Sequence, residues 1–311
     1  MGDSMTNSGV NAAAVRSATT AAEATPRAAA IDVTRFIRGT TLVYPVLGSP
    51  ITQVKAPMLY NALFASTGVD AVVVPIEVAA ADYPTLLKGL FRGRNVPGAF
   101  VTIPHKPATV ELLDDCSDAV RIAGACNAIV RRPDGTLYGE LFDGIGFVRA
   151  AERTGFAVAR SHCLVVGAGG AGAAIAAALA AGGAARVRLH DTRTDHARAL
   201  AARLQRHFAG VTVEAGEPRL DGFDLVVNAT PLGMEPTDAL PFDLGQITPN
   251  MLIGEIVMKR EVTPLVEAAR ARGCRVVLGH EMLREQMPLY LEFFGLPAGP
   301  VGSGQGAGGP V

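Results

Sequence analysis

Six residues, Gly167-Ala168-Gly169-Gly170-Ala171-Gly172, interrupt an apolar run, Leu164-Val165-Val166, and open an alanine-rich segment that continues to Ala181. That succession predicts a strand, a tight turn and a helix. The glycines have the spacing G-x-G-x-x-G. Gly167 permits the turn, Gly169 lets the backbone approach a pyrophosphate, and Gly172 allows the helix to pack closely on the sheet. The phosphates would meet unpaired N–H groups at the helix N-terminus. A second strand, Arg186-Val187-Arg188-Leu189-His190, ends at Asp191. A carboxylate there can accept from both ribose hydroxyls of an adenosine and would repel a 2′-phosphate. Glycine turns between strands and helices are common punctuation, but here the strand, the helix and the terminal acid all flank the turn, so a dinucleotide site is expected. NAD is preferred over NADP; Arg193, two residues past Asp191, leaves NADP open because its guanidinium can reach a phosphate.

The elements that must position this site follow from hydrophobic patterning. Residues 42–47 form an apolar run ended by Gly48-Ser49-Pro50, residues 56–64 carry helical spacing opened by Pro57, and residues 69–76 return to a β-branched run. A helix is expected over 82–91, a strand over 98–103 cut off by Pro104, a helix over 107–116, and short strands at 128–131 and 137–139 about the turn Pro133-Asp134-Gly135. A helix starting at Asp143 leads into the glycine-rich stretch. Strands follow at 211–214, 224–228, 252–258 and 275–278, with a helix over 264–272. The strand ending at Asn228 runs into the polar loop Ala229-Thr230-Pro231-Leu232-Gly233-Met234. Loops at strand ends of a parallel sheet face the ligand. The last helix, with Met282, Leu283, Met287, Leu291 and Phe294 at helical spacing, is expected to pack back onto the first domain.

With 311 residues, 49% of them hydrophobic, the chain can bury a large core, and such a length usually divides into two domains. A formal net charge of −1 without basic blocks gives no electrostatic footprint for nucleic acid or an anionic membrane surface. The expected partner is a small molecule; a second copy of the chain, as a homodimer, is the macromolecular partner left open. Cys116, Cys126, Cys163 and Cys274 lack C-x-x-C spacing, and the histidines suggest no metal, so four reduced thiols in a cytoplasmic protein are expected. The segment 1–38 reads as a disordered tail and 298–311 as a flexible one. No apolar run is long enough to span a bilayer.

Several further stretches carry a family pattern: Val101-Thr102-Ile103-Pro104-His105-Lys106, Gly124-Ala125-Cys126-Asn127, Phe142-Asp143-Gly144, Asn228-Ala229-Thr230-Pro231, Thr263-Pro264-Leu265 and residues 279–286. In order and spacing over residues 42–296 the chain resembles the shikimate dehydrogenase family. The resemblance implies an α/β fold of two domains, an α/β substrate-binding domain (39–142 and 279–297) and a Rossmann dinucleotide-binding domain (143–278), with the active site in the interdomain cleft. The reaction removes a proton from a secondary hydroxyl while a hydride leaves the same carbon for a nicotinamide, so something must hold the developing oxyanion. Lys106 beside Asp143 can do both jobs, and by resemblance they are the catalytic pair; an interdomain salt bridge without chemistry is the bland alternative. Thr102, Asn127 and Gln286 match positions that hydrogen-bond substrate hydroxyls, although each could instead cap a loop or helix. Asn228, Ala229, Thr230 and Met234 are expected beside the cofactor. His105 is expected to be structural, pointing to the opposite face of a strand end from Lys106, and His190 a packing or edge residue. Met234, Met258 and Met282 could line a nicotinamide pocket, yet such methionines are usually core.

The chain also departs from the pattern. Val54 and Ala56, around Lys55, replace a Ser-x-Ser pair whose hydroxyls bind the substrate carboxylate in the family, and Met258 replaces a tyrosine that contacts the same group. With three donors absent from one subsite, a buried carboxylate would be costly there. The substrate is therefore expected to lack the carboxylate, to hold it against Lys55 or Thr52, or to carry a less polar group. Leu141-Phe142 replaces Asn-Thr, which predicts a more apolar wall. Asp191-Thr192-Arg193 replaces the NADP-binding Asn-Arg-Thr, in keeping with NAD and with the quinate/shikimate dehydrogenases of catabolism. The leading expectation is thus an NAD-dependent dehydrogenase of the shikimate/quinate type acting on a cyclic polyol acid. The alternatives are the same fold and cofactor with a substrate outside the shikimate pathway of aromatic amino acid biosynthesis, or a non-catalytic cofactor-binding regulator.

Overall fold

The computed structural model describes residues 37–297. The tail expected at 1–38, apart from its last two residues, and the tail expected at 298–311 lie outside the described residues. The apolar runs become two six-stranded sheets. The first is built from β1 (Leu42–Gly48), β2 (Ala71–Glu77), β3 (Gly98–Val101), β4 (Asp115–Cys116), β5 (Ala128–Arg131) and β6 (Leu137–Glu140). Between these strands run α1 (Ala56–Thr67), α2 (Tyr83–Leu90), the single-turn α3 (Lys106–Thr109) and α4 (Asp118–Ala123). Prolines 57, 84 and 107 sit in the first turns of α1, α2 and α3, where a missing N–H loses no helical hydrogen bond. The strand order is β2-β1-β3-β5-β6-β4. β1 is parallel to β2 and β3, whereas β5 is antiparallel to β3 and β6, so this sheet is mixed. The hairpin between β5 and β6 turns at Asp134, whose Oδ1 accepts the Thr136 N–H at 2.9 Å.

The second sheet begins after α5 (Asp143–Arg153). It contains β7 (His162–Val166), β8 (Arg186–His190), β9 (Thr212–Ala215), β10 (Leu225–Asn228), β11 (Leu252–Glu255) and β12 (Arg275–Leu278), joined by α6 (Gly170–Ala181), α7 (Thr194–His207) and α8 (Pro264–Ala271). Every neighbouring pair in the order β12-β11-β10-β7-β8-β9 is parallel. Such strands are covered on both faces, which is why every residue of β10 and β11 is buried and their sequences are nearly continuous apolar runs. The order reverses between β7 and β10, and the crevice outside the carboxyl ends of strands at such a point is where α/β sheets bind ligands.

The final helix, α9 (Gly279–Phe293), returns to the first sheet. The Tyr290 ring lies 4.6 Å from Phe100 and 4.8 Å from Phe142, and its Oη donates to the Asn127 carbonyl at 3.2 Å. The two sheets are tied on another side by Arg203 of α7, whose Nη2 donates to the Ala123 carbonyl at the end of α4 at 2.9 Å.

Local structure departs from the sequence expectation in four places. The helix expected over 107–116 stops after one turn of α3 and a 3-10 turn at Val110–Leu112, because Leu113 turns extended and Asp115–Cys116 pairs with β6. Ser117 then caps α4, accepting the Val120 N–H, a helix not expected from the sequence; α7 was not expected either. The strand expected over 252–258 ends at Glu255, whose carboxylate accepts the Val257 N–H at 3.1 Å and turns the chain. The four cysteines are unpaired, and no helix among the described residues is long and apolar enough to cross a membrane.

Candidate active site

Between the two sheets lies a cleft of about 340 Å³, within the range of small-molecule sites. Its floor carries an ion pair. The chain leaves β3, passes through Thr102 and the cis Ile103–Pro104 bond, and enters α3 at Lys106, whose Nζ contacts Asp143 Oδ2 at the first turn of α5. Both side chains are nearly withdrawn from water, 11% and 6% exposed. The other carboxylate oxygen, Asp143 Oδ1, accepts Gln286 Nε2 from α9 at 3.2 Å. Three elements remote in sequence thus converge on one carboxylate. Lys106 stands at the start of a helical turn rather than at a strand end, so the reason for expecting His105 to face away differs from the outcome's cause. His105 is buried because its ring stacks on Tyr83 at 4.2 Å, and its Nε2 lies 2.9 Å from the Val78 carbonyl oxygen.

Thr102, Asn127 and Gln286 line the cleft with the ion pair. Asn127 is fixed by its Oδ1, which accepts the Phe142 N–H at 3.0 Å. Its Nδ2 has no hydrogen-bond partner among the described residues. Val54, Ala56 and Met258 line the same cavity, as do Met234 and Met282, so all three methionines face the cleft rather than serving only as core. Leu141 and Phe142 correct the expectation of a more apolar wall. Neither lines the cleft, because the Phe142 ring is turned under α9 against Tyr290 and Phe293. Thr52 is exposed and also absent from the wall, whereas Lys55 lines the cavity and has no acidic partner among the described residues.

The other rim is the glycine loop. Gly169, Gly170 and Ala171 line the cleft, and a Cβ on Gly170 would lie 3.4 Å from Lys106 Cβ, so the loop abuts the lysine directly. Gly167 holds φ at +106° and a Cβ there would strike the Ala229 carbonyl oxygen at 2.6 Å. At Gly172 a Cβ would meet the Gly167 carbonyl oxygen at 1.9 Å. That packing is against the loop itself, not only against the sheet. At Gly169, by contrast, a Cβ would find nothing within 4 Å, which leaves space for a ligand over the first turn of α6. Asp191 closes the arrangement: its Oδ2 accepts the Ala168 N–H at 2.8 Å and its Oδ1 accepts the Arg193 N–H at 2.9 Å. Burial alone would raise the Asp191 carboxyl, but those N–H groups and the Arg193 guanidinium together hold it below the usual carboxylate range. It is therefore ionised at neutral pH, and a dinucleotide fits the open N-terminus of α6 with this charge at the end of β8.

Ala229, Thr230 and Met234 reach the cleft from the loop after β10, together with Pro231. Asn228 does not, and the expectation of a direct cofactor contact is corrected. It is fully buried and splints the loop: Nδ2 donates to the Leu232 carbonyl and to Glu255 Oε1, both at 3.0 Å, while Oδ1 accepts the Thr230 hydroxyl at 2.6 Å. Burial pushes the Glu255 carboxyl up against the opposing pull of its bonds from Thr263, Val257 and Asn228. Sequence reasoning missed Tyr60, Tyr290 and Lys259, which also line the cleft. The aromatic residues look like core by pattern, and Lys259 is paired to Glu235 at the exposed mouth.

Comparison with known proteins bears on the family and the fold. Residues 46–129 match the model of the shikimate dehydrogenase substrate binding domain. The shikimate dehydrogenase (NADP(+)) of Rubrobacter xylanophilus is 35% identical over 263 residues, covering 80% of this chain and 89% of that protein. Among solved structures, quinate dehydrogenase from Corynebacterium glutamicum in complex with NAD superposes with a TM-score of 0.73 at 29% identity, over 82% of this chain and 93% of that one. The ligand-free 5-ketofructose reductase of Gluconobacter sp. strain CHM43 gives a TM-score of 0.72 at 27% identity, over 82% and 92%. A glycine loop opening α6, a buried lysine–aspartate pair between two α/β sheets and a relative of this similarity over nearly its whole length lead to one conclusion: the chain belongs to the shikimate dehydrogenase family, oxidoreductases that act on a CH–OH group with NAD(P).

Proposed function

We propose that this protein is an NAD-dependent dehydrogenase that moves a hydride reversibly between a nicotinamide and a secondary alcohol carbon of a cyclic polyol acid of the shikimate or quinate kind. The observation that carries this reading is the buried Lys106–Asp143 pair lying against Gly170 of the glycine loop. When bound, the nicotinamide supplies or accepts the hydride. In reduction, the Lys106 ammonium gives a proton to the carbonyl oxygen as negative charge grows there; in oxidation the same nitrogen takes it back. Asp143 holds Nζ in place through Oδ2, and Gln286 orients that carboxylate from the other side. In this reading Asn127 Nδ2 and Thr102, which line the cleft, bind the neighbouring hydroxyls of a polyol. The pair, rather than a bare cofactor site, is what favours an enzyme over a regulator.

A second reading, a polyol or ketose without a carboxylate, is favoured by Val54, Ala56 and Met258 in the cleft wall. The solved 5-ketofructose reductase gives it a model substrate. The two are separated by following nicotinamide absorbance with NAD or NADP in the presence of quinate or shikimate, and with NADH or NADPH in the presence of 5-ketofructose. Turnover of an acid supports the first reading and implicates Lys55 as its anchor; turnover of 5-ketofructose alone supports the second. No turnover of any of the three contradicts both.

NAD preference rests on the ionised Asp191. Asp191→Ala should raise the Kd for NAD about tenfold or more and that for NADP less, so that their ratio shifts toward NADP by about tenfold, or about 1.4 kcal/mol. Both constants should rise somewhat, because the Ala168 N–H loses its acceptor. Titration of each cofactor by fluorescence checks this, and an unchanged ratio would remove Asp191 from cofactor choice.

A further inference from the structure

One buried side-chain polar atom among the described residues has no hydrogen-bond partner, the hydroxyl of Tyr60. Tyr60 sits on the first turns of α1, 1% exposed, and lines the same cleft as Lys106. Its ring is clamped against Phe100 at 4.9 Å and stands edge-on to Tyr290 at 6.1 Å. Tyr290 has spent its hydroxyl proton on the Asn127 carbonyl. A buried hydroxyl without a partner costs free energy, typically about 1–3 kcal/mol, so a residue that keeps one beside a ligand cavity points to a bond made only with the ligand. Phenylalanine would fill the same space without that penalty.

Given the dehydrogenase reading above, on which this inference rests, we propose that Tyr60 is a specificity-determining contact whose Oη hydrogen-bonds a neutral hydroxyl or carbonyl oxygen of the substrate. The choice of a neutral oxygen follows from the surroundings. Val46, Ala56, Tyr60 and Phe100 form one apolar cluster with Val54 packed against it. An ionised carboxylate brings about four acceptor sites, and one hydroxyl among apolar walls leaves most of them unpaired. Burial pushes the Tyr60 hydroxyl far above its ordinary value, so it stays protonated and can donate or accept as a substrate hydroxyl requires. Any acid group on the substrate belongs at the mouth, where Lys55 is exposed. The substrate class is thus a polyhydroxylated ring or ketose that buries an uncharged oxygen at the α1 end of the cleft.

The test is Tyr60→Phe, examined in two ways. Without ligand, its melting temperature should equal or exceed that of the wild type; a fall of more than about 2 °C would mean that the hydroxyl already has a partner in the free protein and would overturn the proposal. With cofactor and whichever of quinate, shikimate or 5-ketofructose the wild type turns over, kcat/KM should drop about five- to fiftyfold while the Kd for NADH stays unchanged. An unchanged kcat/KM would also overturn it, and an equal loss in NADH affinity would assign Tyr60 to the general integrity of the cleft instead. If the wild type turns over none of the probes, the dehydrogenase reading is what fails, and the melting comparison still judges Tyr60 separately.

Discussion

Lys106→Ala is expected to lower kcat by about 10²–10⁴-fold while leaving the Kd for NADH within about twofold. The only other ammonium groups lining the cleft among the described residues, those of Lys55 and Lys259, are exposed, so none is placed to substitute at the buried carboxylate. The variant should also be less stable, by about 3 kcal/mol, because Asp143 at 6% exposure keeps only Gln286 as a side-chain partner once the ammonium is gone. That second effect separates catalysis from architecture. In the double variant Lys106→Ala/Asp143→Asn the buried charge is removed with its partner, so stability should return toward wild type while the rate stays low. If the pair were merely a salt bridge between the sheets, the single variant would lose stability and keep its turnover number. Steady-state rates with denaturant melts on both variants read the difference.

Gly172→Ala should raise the Kd for NADH at least about a hundredfold and cost about 3 kcal/mol or more of stability. Its Cβ would fall 1.9 Å from the Gly167 carbonyl oxygen and 3.2 Å from Ala229 Cβ. Overpacking against a yielding side chain costs about 1–3 kcal/mol, but here the obstacle is backbone. Nor is there room for the loop to retreat, because the Ala229 carbonyl lies beside Gly167, its oxygen only 2.6 Å from where a Cβ at that position would stand. Gly169→Ala is the control: with nothing within 4 Å of its Cβ it should melt like wild type, yet place a methyl where a pyrophosphate would approach. It should lose NADH affinity without losing stability. A Gly172→Ala protein that melts and binds NADH as wild type does would contradict this account of the loop.

The sheet elements were legible in the sequence where local pattern and tertiary burial agree. Leu164-Val165-Val166 is apolar because β7 is central in a parallel sheet, and the glycine spacing survives because two of its positions meet backbone. Lys106, Asp143 and Gln286 were legible by resemblance, although nothing local in the chain says that α3, α5 and α9 meet. The misreadings have tertiary causes. Residues 107–116 have adequate helical character, but β6 offers Asp115–Cys116 a strand partner and the helix gives way. The helix α7 was within reach, since Ala197, Leu200, Ala201 and Leu204 are buried at helical spacing. Asn228 was read as a ligand contact because it borders a cleft loop, and its burial turns it inward. Tyr60 was invisible because an aromatic residue in an amphipathic helix reads as core. Only its unpartnered hydroxyl distinguishes it.

On the proposed mechanism, hydride passes in this cleft between a nicotinamide and a carbinol carbon while Lys106 handles the proton. The most direct measurement mixes the protein with NADH carrying deuterium in both C4 positions and, in parallel, with 3-dehydroshikimate, 3-dehydroquinate or 5-ketofructose, and weighs the reduced product by mass spectrometry. One deuterium on the new carbinol carbon, formed by the wild type and at about 10²–10⁴-fold lower rate by Lys106→Ala, is the predicted result. Product without deuterium, or labelled product formed equally fast by Lys106→Ala, would contradict the mechanism, and no product from any of the three ketones would contradict the proposed substrate range.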